Sequence, residues 1–368
     1  MSTVARWWAR VKPVLFSGVE AGLDQPLTPQ HRLLVSVLEI VRIEEHVGPP
    51  VRLWTGRPKL DRRPMARAFV AKALYNDPTT SAFVERLATD TNLCRICGWD
   101  GPGDAPSEAT FSRAFAQFAE QGLGDKVHET LVARHVQEAD VLVGHVSRDS
   151  TQIEARERAA KKPPKPARRR KPGRPKKGEV VEPREAPSRL PRQLEQTPEE
   201  ALAELPRACD WGTKKDSRSR MRSWKGYKLH LDVCDCGLPL NAQTTSASLH
   251  DSQVAIPMGR VTAQRVTALY QLMDSAYAAP QIEQMVRELG QVPIIDVHGA
   301  KRKQGVELDP ATARRYAERT AVERGYSRLK DSFGARFVRV RGHPKVHLHL
   351  MLGVITLFAD QLLKLAAV

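Results

Sequence analysis

A chain of 368 residues with 41% hydrophobic content has room for about two domains and enough apolar side chains for real cores, which excludes a wholly disordered protein. No run of eighteen apolar residues occurs, and the start "MSTVARWWARVKPVLFSG" has too short an apolar stretch for a secretory signal, so no membrane partner and a cytoplasmic location are expected. A formal net charge of +16 points to a polyanionic partner such as nucleic acid, and five scattered cysteines point to reduced thiols rather than a disulfide framework.

Residues 1–139 read as helical. Thr28 and Pro29 cap and open a helix through Leu33, Leu34, Val37, Leu38 and Val41. A second starts at Ser107, aligns Phe111, Phe115 and Phe118 on one face and ends at Gly122, and a third runs from Asp125 through Val127, Leu131 and Val132. The stretch "PSEATFSRAFAQF" fits either a recognition helix that turns Arg113 toward a DNA groove or a purely structural helix. Residues 140–155 then begin a different texture: "DVLVGHVSRD" is valine-rich and suits a buried strand that ends at Asp149.

Residues 156–206 read as a disordered basic linker. Twelve Lys/Arg and one Glu between 156 and 178 give +11 and leave +5 for the rest of the chain. Such a segment holds DNA without sequence preference by counterion release. Alternatively, "RRRKPGRPKKG" resembles an AT-hook, with Arg174, Lys176 and Lys177 at an A·T-rich minor groove and Pro172 where arginine is usual.

From 207 to 368 strand patterns resume. Tyr227, Leu229, Leu231 and Val233 alternate with polar residues, as in a half-buried strand, and "DCG" at 235–237 turns it into a hairpin. Strand 266–274, helix 280–290 and strand 292–296 make a parallel unit, and an amphipathic helix over 345–366 closes the chain. Trp211 and Trp224 fit core packing better than base stacking. The pairs Cys94/Cys97 and Cys234/Cys236 lack the two matching knuckles of a four-thiolate zinc site.

"YAERTAVERGYSRLK" (316–330) carries the chemistry. On one helix Tyr316, Arg319, Glu323 and Lys330 share an arc of about 60°, beside an apolar stripe of Val322, Tyr326, Leu329 and Phe333. Asp149 and Asp274 each end a strand, and ligands gather at the carboxyl ends of parallel strands. With Glu323 these acids can converge on hard cations such as Mg²⁺, two of which can run an in-line phosphoryl displacement. The bland alternative is a solvated helix face and two turn-capping aspartates.

The spacing of Tyr316, Arg319, Glu323 and Lys330 matches the Y-R-E-K signature of DDE transposases of bacterial insertion sequences. "RDSTQI" (148–153) and "DSAY" (274–277) resemble that family's two aspartate motifs, with Ala276 where glycine is usual. "KGYKLHL", "SASLHDS" and the closing helix resemble its other landmarks, with Asp360 where asparagine is common. The resemblance implies an α/β, RNase H-like mixed five-stranded sheet flanked by helices, preceded by an all-α DNA-binding domain. It implies Asp149, Asp274 and Glu323 as ligands of two Mg²⁺ ions, with Mn²⁺ as a possible substitute, and Tyr316, Arg319 and Lys330 as DNA-backbone contacts. Lys225 and Lys228, in the second-strand landmark, are further candidate DNA contacts. Double-stranded DNA would be the partner, both terminal inverted repeats and target, bound by a homodimer in the nucleoid. A transposase-derived DNA-binding protein without catalysis and a non-transposing nuclease of the same fold are the alternatives.

Overall fold

Thr28 caps the first helix as expected: its hydroxyl accepts from the His31 amide at 3.1 Å, with Pro29 in the first turn. The computed structural model describes residues 26–49, 60–137, 141–161, 188–215, 220–296 and 308–367. The helices ahead of the sheet are α1 (Pro29–Val41), α2 (Arg63–Leu74), α3 (Thr80–Thr89), α4 (Thr91–Cys97), α5 (Glu108–Glu120) and α6 (Leu123–Val132). Phe111 and Phe115 of α5 pack edge-on to Phe69 of α2, with ring centroids 5.6 and 5.0 Å apart.

The sheet is built from β1 (Val143–Glu154), β2 (Asp210–Lys215), β3 (Met221–Cys234), β4 (Pro239–Ser246), β5 (Ala268–Met273) and β6 (Val292–Ile295). β3 organises it. One edge of β3 pairs antiparallel with β1, from Glu154↔Gly226 to Val146↔Cys234. The other edge is shared: β2 pairs with residues 221–226 and β4 with 227–233. Beyond β1 lie β5 and then β6, both parallel. The mixed sheet and its parallel unit match expectation, and β2 is a sixth strand beyond the five expected.

Helices cover both faces: α9 (Ser252–Arg265) and α10 (Pro280–Glu288) on one, and α12 (Thr320–Ser332) and α13 (His343–Ala366) on the other. β3 is therefore buried on both sides rather than half-buried, with His230 and Asp232 both fully enclosed. Two short helices, α7 (Arg189–Glu195) and α8 (Pro198–Ala203), occupy part of the interval expected to be linker. A capping box between Thr197 and Glu200 opens α8, and Leu202 and Leu205 pack on Val254 and Met258 of α9. That apolar contact gives residues 202 and 205 a share in a buried cluster.

Three further expectations change. β1 does not stop at Asp149 but runs to Glu154, because β3 continues to pair with it. The 316–330 stretch is two helices, α11 (Pro310–Ala317) and α12, parted at Glu318 and Arg319. At the break the Glu318 carbonyl accepts from the Ala321 amide at 2.9 Å and also from the buried Ser147 hydroxyl of β1 at 3.2 Å. Finally, Cys234 and Cys236 are joined as a disulfide, because the turn at Asp235 brings their Cα atoms to 5.3 Å. Cys94, Cys97 and Cys209 are free and buried.

α13 is long and apolar enough by composition to cross a bilayer, yet it is the core of the chain: α1, α2, α5, α6, β4 and α12 pack around it. Gly353 lets α12 come close, since a Cβ there would stand 2.6 Å from the Phe333 carbonyl oxygen. Residues of the N-terminal helices and of the sheet consequently form one continuous apolar cluster.

Candidate active site

The last parallel pair between β1 and β5 is Arg148↔Met273. Asp149 and Asp274 each stand one residue beyond it, on the same side of the sheet. Asp149 Oδ1 accepts from the Ser150 amide at 2.7 Å, and Asp274 Oδ1 from the Ala276 amide at 3.0 Å. The Tyr326 hydroxyl of α12 fixes the strand here, donating to the Asp149 carbonyl at 2.5 Å and accepting from the Leu231 amide at 3.0 Å.

Burial, joined by the negative charge of Asp274, pushes the Asp149 carboxyl up to about 6, against the Ser150 amide and Arg319. Asp274 is also raised, first by burial and then by the charge of Asp251. Two enclosed, mutually repelling carboxylates leave a site short of positive charge. Arg319 reaches Asp149 Oδ2 at 3.4 Å and also grips Glu323. Glu323 is half exposed. Arg319 thus ties Glu323 to Asp149, and among the described residues the group with three ligand atoms within 4.8 Å of one another is Cys234, Asp235 and Cys236, not these three acids. The Cys234–Cys236 bond removes that other group as a metal site. All-carboxylate oxygen donors around Asp149 and Asp274 fit hard divalent cations.

Of the other residues singled out, Lys330 donates to Thr151 Oγ1 at 2.6 Å, two residues along β1 from Asp149. Tyr316, although on α11, keeps its ring under Arg319, whose Cζ lies 5.7 Å from the centroid. Lys228 is spoken for: its ammonium donates to Asp251 Oδ1 and the Leu249 carbonyl, both at 2.8 Å. Lys225 is half-buried at the sheet edge, and Arg113 is exposed on α5. Arg174, Lys176 and Lys177 lie outside the described residues. Trp224 is buried as expected, but Trp211 is 55% exposed.

Sequence reasoning missed Asp251, although "SASLHDS" was noted. Burial works against its charged form, but His230, Lys228 and the Ser150 hydroxyl hold its carboxyl below the ordinary range. Arg148, beside Asp149, was missed too. It is 1% exposed and binds Asp232 through two nitrogens at 2.7 Å each, and its third nitrogen donates to the Ala255 carbonyl at 3.0 Å.

Residues 189–359 match the family model described as a transposase DDE domain, and residues 23–117 match a second, a transposase domain of otherwise undefined function. Both matches support a DDE transposase. That family acts on DNA, is generally dependent on divalent metal, and its DDE domain implies an RNase H-like fold. Asp274, Tyr316, Arg319, Glu323 and Lys330 fall inside the first match, whereas Asp149 lies between the two. No curated protein and no solved structure matches the chain.

Proposed function

We propose that the chain is a DDE transposase of a bacterial insertion sequence, working on its terminal inverted repeats by hydrolysis and 3′-hydroxyl strand transfer. The observation that carries this is the placement of Asp149 and Asp274 one step past the Arg148↔Met273 pair, with Arg319 tying Glu323 to the same rim.

Asp149, Asp274 and Glu323 would hold two Mg²⁺ ions, or Mn²⁺ in their place. The metal would activate the attacking oxygen and stabilise the departing one. Around it the chain's own residues position the DNA. Arg319 offers two nitrogens to a phosphate once Glu323 turns to metal, and Lys330 and Tyr316 extend the grip along the backbone. In the first step water oxygen bonds to phosphorus as the P–O3′ bond breaks, freeing a 3′-hydroxyl. In the second that 3′-oxygen attacks a target phosphorus and expels a target 3′-oxygen. The two steps share one in-line geometry, so one set of acids serves both. A homodimer on paired DNA ends in the nucleoid is the working assembly.

The test is a duplex carrying one end of the encoding element, incubated with purified protein and Mg²⁺. The parent cuts and joins it. Asp149→Asn, Asp274→Asn and Glu323→Gln bind the duplex but lose cutting by at least about a hundredfold, the scale of a lost electrostatic catalyst. If Glu323→Gln joined ends at the parental rate, Glu323 would not be a metal ligand.

A further inference from the structure

Among the described residues, 221–225 of β3 have β2 as their one strand neighbour: β1 pairing starts at Gly226 and β4 pairing at Tyr227. β2 and this part of β3 are therefore a two-stranded ribbon extending past the sheet. Gly226 is where it departs, with φ +154° and a Cβ position only 2.1 Å from the Ile153 carbonyl oxygen, so no other residue fits there.

An isolated two-stranded ribbon is marginally stable, and Trp224 roots this one. Its indole is buried, donates to the Tyr227 carbonyl at 3.2 Å, and packs over Gly212, where any Cβ would collide with it. Other residues of the ribbon are different. Trp211, which pairs with Lys225 beside the root, is 55% exposed and Met221, at the far end, 60%; Lys214 and Arg222 pair across the strands on the opposite face, both exposed. Lysine on an exposed edge is a common guard against unwanted strand pairing. A large aromatic and a methionine left in water work against that purpose and suit a recognition surface.

The ribbon lies beside the acids. The charge of Lys214 acts on both Asp149 and Asp274, and also on Lys330. Lys330 is flanked on another side by Arg336, from the loop that follows α12. Cations from two separate elements, Lys214 and the Asp331-paired Arg336, thus act on Lys330 of α12.

We infer that the β2–β3 ribbon grips the duplex next to the phosphate being cut, Lys214 and Arg222 on the backbone and Trp211 against the groove wall. This rests on the phosphodiester-transfer reading above. Five steps of antiparallel strand span roughly 17 Å, about half a turn of B-DNA, and the major groove admits a two-stranded ribbon.

The probe is a fluorescent duplex containing one end of the encoding element and its flank, with binding measured across a salt series. For Lys214→Gln/Arg222→Gln the slope of log K against log salt falls by about 1.8, the loss of two phosphate contacts. Trp211→Ala keeps the slope and weakens binding several-fold at every salt concentration. Thermal melting identifies any variant that has unfolded, and Lys214→Glu alone then stands in for the double variant, weakening binding most at low salt. A parent that binds and cuts while the ribbon variants keep its slope and affinity overturns the inference. Variants that lose only self-association, measured by sedimentation, overturn it as well, making the ribbon a protein contact. A parent that neither binds nor cuts sinks the functional reading itself.

Discussion

Arg148 and Asp149 are sequence neighbours that point to opposite faces of β1, one into a closed polar network and the other onto the acidic rim. Asp232 also accepts from the Thr262 hydroxyl, and Gln271 donates to Gln291 at 2.7 Å, so the guanidinium sits in a fully bonded interior. Removing one member of a buried pair strands the other charge. Arg148→Met should therefore cost about 3–5 kcal/mol in urea unfolding, and Arg148→Met/Asp232→Leu should recover much of that loss. A double variant no more stable than the single one would show that Asp232 is not what Arg148 serves. Asp274 was legible as a strand end and Glu323 from its helical period, whereas Asp149, expected at a strand end, lies inside β1. Arg148 was not legible: a charge in a valine-rich strand reads as exposed, and its partner is 84 residues away. Asp251 was equally hidden, lying in a turn with no periodicity to give it a side.

At the scale of elements, the sheet order followed from alternation and βαβ spacing, whereas β2 did not. Its residues border water on most sides, so "DWGTKK" has no apolar alternation to betray a strand. The break between α11 and α12 was invisible for another reason: no proline or glycine marks it, and what meets the Glu318 carbonyl there besides the Ala321 amide is a hydroxyl of the distant β1. α12 nevertheless presents Val322, Tyr326, Leu329 and Phe333 to the core as its period required. Tyr326 is the member with a polar task. Tyr326→Phe leaves the Leu231 amide and Asp149 carbonyl without their shared partner, which should cost about 1–3 kcal/mol and slow cutting without weakening DNA binding. Parental stability in that variant would mean that β1 and β3 hold each other without help.

For the whole molecule, five buried imidazoles set the acid limit. Burial foremost holds His128, His135, His230, His343 and His349 down to about 4, below their ordinary 6.5. A lowered folded-state value means the unfolded chain binds protons more readily, so the stability is present above pH 6.5 and is lost as pH falls toward 4. Asp149, raised to about 6, works the opposite way and offsets one of the five. Melting temperature should thus drop steeply between pH 6.5 and 4. His349→Gln, whose amide nitrogen takes the place of Nε2 and can still donate to the Gly334 carbonyl, should remove about one proton, or roughly 1.4 kcal/mol per pH unit, from that slope. An unchanged slope would mean that His349 does not titrate on unfolding.

The sequence suggested a helical domain ahead of a separate catalytic core, and each half was recognisable by its own periodicity. What periodicity cannot carry is that both halves close around α13, since that contact joins residues more than two hundred positions apart. During synthesis α1–α6 leave the ribosome first but lack their central packing partner until α13 emerges. Their full packing should then come only late, and a message truncated before residue 343 should yield no stable free-standing N-terminal fragment.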